Sequence, residues 1–561
     1  MADFSWFANY PKEVAQTVDY TQYHSLPQLL EQAFAKFADR TAYESMGKTL
    51  TYKEVNKLSH GFAAYLQKDL GLKKGDRIAL QMPNCLQYTV ALFGALRAGL
   101  VVVNTNPLYT SREMKHQFTD AEVKALVIID MFAHNLEPIL KDTGIKHVII
   151  TGLGDMLGTL KGGLVNFVVR NIKKMVPAYN LPKAIPFKDA LAAGKNLVLD
   201  KPEINAEDLA FLQYTGGTTG VAKGAMLSHR NMIAHTLQIE QWFQPLLEEG
   251  KQERMITAIP LYHIFALAVN GIFMAHIGAE NLLITNPRDM KTFLKELNKQ
   301  PFTLITGVNT LFNGLLNQPS FKDIDFSKLK TAIGGGMAVQ KAVAEKWKKV
   351  TGVSLVEGYG LSETSPVLSV NPLNGREHQG TIGLPVPNTE MAIFDEEGKR
   401  LGEGEVGEIC AKGPQVMQGY WQRPDETEKV FFGEFFRTGD IGQYDKDGFF
   451  KIVDRKKDMI NVSGFNVYPN EVEDAVAMHE KVLECAAVGV PDAKSTEAVK
   501  IYVVKKDDSL TEDELKAFCR ENLTAYKVPK HYEWREELPK SNVGKILRRV
   551  LREEEDRKAA V

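Results

Sequence analysis

The sequence predicts an α/β protein built from two domains. The large N-terminal domain is expected to contain parallel-rich sheets covered by helices plus a β subdomain, and the small C-terminal domain is expected to be α+β. Helical and strand patterns alternate along the first half of the chain, and a compact α+β pattern follows residue 470. A chain of 561 residues is also too long for one hydrophobic core.

The first βαβ unit is predicted between residues 51 and 104. Thr51 and Glu54, three residues apart, form a capping box at the start of a helix. One face of this helix carries the apolar residues Val55, Leu58, Phe62 and Leu66. A strand, a helix and a second strand are then predicted in GDRIALQM, LQYTVALFGALRAG and LVVVN. This order indicates parallel strands covered by helices.

The C-terminal domain is predicted from a change of pattern near the end of the chain. A charged, glycine-bearing segment, DRKKDMINVSGFNVYPNEVEDAV, leads into a helix from Glu471. Strands at AAVGV and VKIYVVK and a helix after Thr511 follow. We expect a large domain over residues 1–453, a small domain over 454–561 and a hinge at 454–457.

The composition is that of an ordinary globular protein, with 44% apolar and 25% charged residues. A formal net charge of −2 gives no global attraction to nucleic acid, so no nucleic-acid partner is expected. The N-terminal segment has acidic residues and no apolar core, and the longest apolar run is interrupted by Arg97, so neither a signal peptide nor a membrane span is expected. The cysteines show no metal-ligand spacing and indicate buried thiols in a cytoplasmic protein: Cys85, Cys410, Cys485 and Cys519.

The stretch YTGGTTGVAKGAMLSHRN, from Tyr214 to Asn231, is suited to binding phosphate. It differs from the P-loop pattern because Lys223 follows alanine and precedes glycine. Glycines let backbone N–H groups turn toward an anion, and the lysine adds a cation. The threonine hydroxyls add donors, from Thr215, Thr218 and Thr219. The alternative is a surface turn with a solvated lysine.

Further motifs follow in order: PLYHIFAL, GGGM, EGYGLSET, FRTGD, DRKKD and PKSNVGKILRR. Together with the threonine- and glycine-rich loop, they resemble the signature motifs of the adenylate-forming superfamily. That superfamily contains acyl-CoA synthetases, luciferases and the adenylation domains of peptide synthetases. The strongest resemblance is to bacterial long-chain fatty-acid–CoA ligases and extends over nearly the whole chain.

The resemblance implies an enzyme that uses a fatty acid, ATP and CoA, with Mg²⁺ as cofactor. The acid would first form an acyl-adenylate, and CoA would then displace AMP to give acyl-CoA. Two alternatives stay open: a ligase for medium-chain or aryl acids, and a non-catalytic sensor that binds acyl-CoA. The pair Phe436-Arg437 stands where long-chain ligases commonly place leucine-histidine, so the subclass signature is imperfect.

The same resemblance implies roles for individual residues. Glu363 and Thr215 would hold Mg²⁺ and act in catalysis, Lys545 would stabilise charge on the α-phosphate, and His263 would gate the acyl pocket or lie in the core. Residues implied in nucleotide or CoA binding are Thr215, Gly216, Gly217, Thr218, Thr219, Gly220, Lys223, Gly335, Gly336, Gly358, Tyr359, Gly360, Asp440, Arg455, Lys457 and Gly464. The small domain is implied to be mobile, swinging about Lys457 between the two half-reactions.

Two apolar segments remain open to two interpretations each. Residues Ile305–Leu316 are predicted as a helix that either lines an acyl tunnel or packs in the core. Residues Leu160–Lys183 combine aliphatic and basic side chains without an acidic one, which suits either a core-packing helix or a helix on the inner face of the cell membrane. Whether the protein forms a homodimer is not indicated by the sequence.

Overall fold

The computed structural model describes residues 4–215, 222–376, 378–455, 457–463, 465–492 and 495–559. These residues form a nine-stranded sheet, a seven-stranded sheet and two five-stranded sheets. The nine- and seven-stranded sheets are parallel-rich and carry helices. One of the two five-stranded sheets belongs to the C-terminal part of the chain. The predicted fold class, a large N-terminal α/β domain followed by a smaller one, is confirmed.

The helices and strands are numbered in chain order. The α-helices are α1 (Leu26–Lys36), α2 (Tyr52–Lys68), α3 (Leu86–Arg97), α4 (Ser111–Asp120), α5 (Ala133–Leu136), α6 (Thr159–Phe167), α7 (Phe187–Gly194), α8 (His229–Phe243), α9 (Met274–His276), α10 (Met290–Leu297), α11 (Asn309–Leu316), α12 (Lys341–Thr351), α13 (Pro424–Glu428), α14 (Pro469–Ala477), α15 (Glu512–Asn522) and α16 (Arg548–Ala559). Two π-helical turns cover Val168–Ile172 and Ala266–Phe273.

The strands of the two large sheets are β1 (Thr41–Ser45), β2 (Lys48–Thr51), β3 (Arg77–Gln81), β4 (Val101–Asn104), β5 (Val123–Ile129), β6 (His147–Thr151), β7 (Ile185–Pro186), β8 (Leu209–Thr215), β9 (Lys223–Ser228), β10 (Arg254–Thr257), β11 (Glu280–Leu283), β12 (Leu304–Gly307), β13 (Thr331–Gly334), β14 (Leu355–Gly360), β15 (Val367–Val370) and β16 (Leu384–Pro385). The remaining strands are β17 (Glu390–Phe394), β18 (Gly407–Lys412), β19 (Phe431–Phe432), β20 (Phe435–Tyr444), β21 (Phe450–Arg455), β22 (Ile460–Val462), β23 (Phe465–Val467), β24 (Val482–Asp492), β25 (Thr496–Lys505) and β26 (His531–Arg535).

The strand orders show how the sheets are built. The seven-stranded sheet has the order β7-β6-β5-β3-β4-β8-β9 and is parallel except at β9. The nine-stranded sheet has the order β16-β15-β14-β13-β12-β10-β11-β1-β2 and is parallel from β14 to β1. Strands β17 to β21 form the antiparallel β subdomain, and β22 to β26 form the C-terminal sheet. The predicted boundary between residues 453 and 454 falls within β21 and stays a prediction.

The elements predicted from periodicity are present in the first βαβ unit. Helix α2 begins after Thr51, whose side chain accepts a hydrogen bond from the Glu54 N–H. The Glu54 carboxylate in turn accepts one from the Thr51 N–H at 2.7 Å. Val55 and Phe62 are fully buried on the inner face of this helix. Helix α3 is buried along its whole length, so it lies between layers. All four cysteines are buried and free, as the sequence indicates.

The prediction of one helix over Ile305–Leu316 is wrong at its start. Residues up to Gly307 belong to strand β12, which pairs with β10 and β13, and helix α11 begins only at Asn309. A short apolar run that is buried on both faces of a parallel sheet has no alternation to distinguish it from a helix. The apolar pattern therefore extended the helix into the strand.

The segment 160–183 is helical only in its first part. Helix α6 passes into the π turn at Val168–Ile172, and residues 173–183 follow without helical structure. The interpretation as a core-packing helix is wrong for its largest apolar residues, because Leu160, Leu164 and Phe167 are exposed. Among the described residues, no helix is long and apolar enough to cross a membrane.

Candidate active site

A large cavity lies where the two big sheets, the β subdomain and the C-terminal part of the chain meet. Its volume is about 1520 Å³. The predicted site residues that the structure describes all line it: Thr215, Lys223, His263, Gly335, Gly336, Gly358, Tyr359, Gly360, Glu363, Asp440, Arg455, Lys457 and Lys545. Residues more than 300 positions apart in the chain thus meet in one space.

The loop predicted to bind phosphate connects two paired strands. Thr215, at the end of β8, lies opposite Lys223 at the start of β9. Residues Gly216, Gly217, Thr218, Thr219 and Gly220 lie between them, outside the described residues. Strand β9 leads directly into α8, which begins with a Ser228–Asn231 capping box. The two strands therefore hold both ends of the loop at the cavity.

Lys223 is held by two neighbours from one segment. Its ammonium pairs with Glu426 of α13 and lies over the ring of Tyr420, 5.2 Å from the ring centroid. The lysine, together with Lys429, lowers the pKa of the Glu426 carboxyl to about 2. The ammonium is therefore positioned at the cavity by an anion and a ring, and an anionic ligand would compete with Glu426 for it.

Glu363 is a buried carboxylate that faces the cavity from the turn after β14. It is 8% exposed, and the Tyr420 hydroxyl donates to its Oε1 at 2.8 Å. Burial raises the pKa of this carboxyl, although the Tyr420 bond opposes the shift. Among the described residues, the charge of Arg455 also opposes the shift but does not cancel it, so the anionic form is suited to receive a further cation.

Asp440 and Arg455 face each other across strands β20 and β21. The Asp440 Oδ1 lies 3.1 Å from Arg455 Nε, and the Tyr359 hydroxyl donates to Asp440 Oδ2 at 2.7 Å. The charge of Asp440 raises the pKa of the Arg455 guanidinium above its ordinary value. The carboxylate is 3% exposed and retains acceptor capacity for further donors.

Lys545 enters the same cavity from the loop that precedes α16. The positive charge of Arg455 and burial lower the pKa of Lys545 to about 7, although Asp440 opposes the shift. Burial, with a contribution from the charge of Lys545, lowers the pKa of His263 to about 4. His263 is therefore neutral at neutral pH, and its Nδ1 accepts from the Phe265 N–H at 3.3 Å.

The position of Lys545 is fixed by contacts between the large and the C-terminal parts. Thr310 Oγ1 of α11 donates to the carbonyl of Gly544 at 2.8 Å. Gly544 has a φ of +85°, a left-handed conformation that favours glycine. Asn313, one turn along α11, donates to the Leu483 carbonyl at 2.9 Å. Helix α11 is thus the surface on which the lysine-bearing loop rests.

Glycines shape the wall between these charged groups. A Cβ on Gly335 would lie 3.1 Å from the Phe265 ring and 3.3 Å from the Gly358 carbonyl. Gly336 has a φ of +77°, and a Cβ on Gly360 would overlap the carbonyl of Pro366. Side chains at these positions would fill the cavity or distort its wall. Because glycine has no side chain, a flat ligand can approach the backbone here.

Part of the cavity lining is apolar and belongs to one buried hydrophobic cluster. These residues come from α8, the π turn at Ala266–Phe273 and the residue before it, β15, and the segment before β16: Ile239, Phe243, Phe265, Val269, Val370 and Ile382. Ile239 and Phe243 are one helical turn apart and are 2% exposed. The cavity therefore joins a charged region to an apolar one.

Several residues that hold the predicted site residues in place could not be recognised from the sequence. Tyr420 and Glu426 lie outside the recognised motifs, and Thr310 is in a segment interpreted by its apolar residues alone. Arg548 follows Lys545 and binds Glu473 at 2.6 Å. The basic residues of KILRR indicate that acidic side chains lie nearby in the fold. They do not indicate that Glu473 is the partner of Arg548.

The predicted Mg²⁺ site offers oxygen ligands from one carboxylate and one hydroxyl. Among the described residues, no three His, Cys, Asp or Glu side chains form a metal-binding cluster. A nucleotide-bound Mg²⁺ needs only one or two protein oxygens, because phosphates and water supply the rest. One buried carboxylate, Glu363, beside the hydroxyl-bearing Thr215 is such a donor set. These residues fit the ion.

Comparisons with known families match most of the chain. A family model described as AMP-binding enzyme matches residues 30–421, and one described as AMP-binding enzyme C-terminal domain matches residues 471–545. A long-chain-fatty-acid–CoA ligase from Salmonella typhimurium is 57% identical over 549 residues, covering 98% of both chains. A protein of the same description from Bacillus subtilis is 40% identical over 553 residues, again covering 98% of both.

A solved structure shares the fold. ATP-bound MatB from Rhodopseudomonas palustris matches with a TM-score of 0.79 at 29% identity, covering 94% of this chain and 98% of that one.

Proposed function

The chain belongs to the AMP-binding enzyme family, and we infer from this premise that it is a long-chain fatty-acid–CoA ligase that depends on ATP. The single observation that supports this activity best is the cavity, in which a charged region lined by Lys223, Asp440 and Lys545 continues into an apolar one. The 57% identity to a long-chain-fatty-acid–CoA ligase over 98% of the chain favours a long-chain acid.

The first half-reaction brings a carboxylate to a triphosphate. Two unit charges about 4 Å apart repel by roughly 4 kcal/mol at an effective dielectric near 20. We propose that Lys223 and Lys545 offset this repulsion from the two domains. A carboxylate oxygen bonds to the α-phosphorus, the bond from that phosphorus to the bridging oxygen breaks, and pyrophosphate leaves with its electron pair.

We propose that the remaining residues hold the nucleotide in place. Asp440 accepts from the ribose hydroxyls, Arg455 orients Asp440, and the glycine wall at Gly335 and Gly358 accommodates the adenine. Glu363 and Thr215 would hold Mg²⁺, which supplies positive charge to the phosphate oxygens. Neutral His263, which lines the same cavity, would gate the acyl pocket.

The second half-reaction is proposed to use a different domain orientation. The CoA sulfur bonds to the acyl carbon, the bond to the phosphate oxygen breaks, AMP leaves, and the thiol proton is released. We propose that residues 454–561 rotate near Lys457, which removes Lys545 from the cavity and brings the segment around Gly464 to CoA. Gly464 itself lies outside the described residues. The present arrangement, with Lys545 at the cavity, suits adenylate formation.

The acid specificity is tested by a panel of acids. We expect pyrophosphate release in the presence of ATP and CoA to be at least about tenfold faster with palmitate or oleate than with octanoate or benzoate, because a longer chain buries more apolar surface. Faster release with octanoate or benzoate would favour the rival ligases. Acyl-CoA binding without pyrophosphate release from any acid would favour the non-catalytic sensor.

The pKa of Lys545 predicts how adenylate formation depends on pH. Since the pKa is lowered to about 7, the free enzyme loses the ammonium as pH rises through that value. We expect kcat/KM for ATP–pyrophosphate exchange to fall about tenfold per pH unit above the pKa. Lys545→Arg stays charged, so its activity should be lower but independent of pH in this range. A wild-type profile that stays flat to pH 9 would contradict the assignment.

We also propose that the enzyme acts in the cytoplasm and meets its acid at the inner face of the cell membrane. The substrate class supports this, because a long-chain acid partitions into lipid. Whether the enzyme acts as a monomer or as a homodimer is decided by sedimentation of the full chain.

A further inference from the structure

Helix α6 and the turn that follows it expose an unusual amount of apolar surface. Ten large hydrophobic side chains are exposed among the described residues, and five of them lie between residues 160 and 175. The exposed fractions are 93% for Leu160, 63% for Leu164, 55% for Phe167, 65% for Ile172 and 44% for Met175. We call these five residues the apolar ridge. Such clustering marks an interaction surface, whereas single exposed apolar residues do not.

The first four residues of the ridge follow one face of the helix, and Met175 comes just after its end. Leu160, Leu164 and Phe167 are spaced by four and three residues, so they lie above one another. The π turn then lengthens the helix repeat, and Lys173 N donates to Val168 O five residues earlier. Ile172, five residues after Phe167, is therefore kept on the same face. The π turn extends the apolar stripe instead of rotating it toward the core.

The opposite face of the helix is firmly attached to the protein. Gly162 packs so closely against the Gly154 carbonyl that a Cβ would overlap it. Asn166 accepts from the Gly154 N–H at 2.7 Å and donates to Asp155 at 2.8 Å. Arg170 pairs with Asp130 at 2.9 Å. The ridge therefore faces outward on an anchored helix, and its exposure does not result from a loose segment.

The segment that carries the ridge has charges of one sign. The fold brings Asp289 near it, where hydrogen bonds from Thr292 lower the pKa of the Asp289 carboxyl and the charge of Lys173 lowers it further. Between Asp155 and Asp189 the chain has no acidic residue. Lys173 and Lys174 follow directly after Ile172 and are exposed, whereas the ammonium of Lys161, beside Leu160, donates to the Met46 carbonyl. An apolar stripe that ends in two exposed lysines matches the interface of an anionic bilayer, in which acyl chains lie beneath negative headgroups.

We propose that the apolar ridge inserts into the surface of an anionic lipid bilayer, with Lys173 and Lys174 on the headgroups. A second copy of this chain is a poorer occupant. A symmetric contact places the same patch on both partners and would bring the lysines of the two copies together. The purpose of the contact rests on the proposed fatty-acid substrate, whereas the contact itself does not.

The proposal is tested by flotation of the full chain with vesicles of phosphatidylglycerol and phosphatidylcholine, compared with phosphatidylcholine alone. We expect binding to the anionic vesicles only. Each lysine near such a surface contributes about fivefold in partition, so K173Q/K174Q should reduce binding about 20- to 30-fold. F167S/I172S should reduce it at least about tenfold. Val198→Ser, which replaces a residue that is 76% exposed elsewhere, is the matched control and should bind normally.

The outcomes separate this surface from the enzymatic function. All variants should keep wild-type turnover of soluble octanoate, because the altered side chains are exposed and outside the cavity. Unchanged flotation of both double variants would overturn the proposal. It would also be overturned if F167S/I172S converted a dimer to a monomer in sedimentation without changing flotation. If the chain showed no ligase activity but floated with vesicles as predicted, the proposed function would be wrong and the bilayer contact of the ridge would still be supported.

Discussion

Replacing Lys545 by alanine is expected to reduce acyl-adenylate formation about 1000-fold, while thioester formation from presynthesised acyl-adenylate stays within about threefold of wild type. In the proposed mechanism, the ammonium is needed only where negative charge grows on the α-phosphate. It lines the cavity with Lys223 and is positioned through Gly544 and Thr310. ATP–pyrophosphate exchange measures the first half-reaction, and CoA consumption with added adenylate measures the second.

Lys540 provides the matched control for this substitution. It belongs to the same C-terminal segment but pairs with Glu484 at 2.6 Å. Lys540→Ala should therefore leave the two half-reactions nearly unchanged. Equal loss of both half-reactions in Lys545→Ala would contradict the proposed division of work between two domain orientations.

Replacing Asp440 by asparagine is expected to weaken both half-reactions, because the AMP group is held in each. The substitution removes the charge that pairs with Arg455 at 3.1 Å. It would also weaken the two hydrogen bonds that Asp440 is proposed to accept from the ribose. Bonds to a charged group contribute about 1.5 kcal/mol each, so kcat/KM for ATP should fall about 100-fold. Calorimetric titration with AMP should show a similar loss of affinity.

Tyr359→Phe separates the charge of Asp440 from its hydrogen-bond network. The variant removes the hydroxyl that donates to Asp440 at 2.7 Å but retains the carboxylate and Arg455. We expect less than about a tenfold effect on kcat/KM for ATP. If Asp440→Asn bound AMP as tightly as the wild type, the ribose assignment would be wrong.

Much of the fold could be predicted because local patterns and tertiary structure agree. The Thr51–Glu54 capping box begins α2 as expected, and Thr511 caps α15. The prediction failed where burial removed the periodic signal. Strand β12 is apolar on both faces because it lies inside a parallel sheet, so Ile305 resembled the start of a helix.

The candidate site was predicted only as far as motifs reach. The motif residues gather around one cavity, yet their supporting contacts join positions far apart in the chain. Tyr420 and Glu363 are 57 residues apart, and Lys223 and Glu426 are 203 apart. No periodicity or spacing relates such pairs, because tertiary packing alone brings them together.

We propose above all that positive charges from the large and the small domain, on Lys223 and Lys545, meet at the triphosphate. A crystal structure with a non-hydrolysable ATP analogue and Mg²⁺ tests it most directly. We expect the phosphates between Lys223 and Lys545, with the ribose hydroxyls on Asp440. A nucleotide bound outside this cavity, with the segment between Thr215 and Lys223 free of phosphate, would contradict the claim.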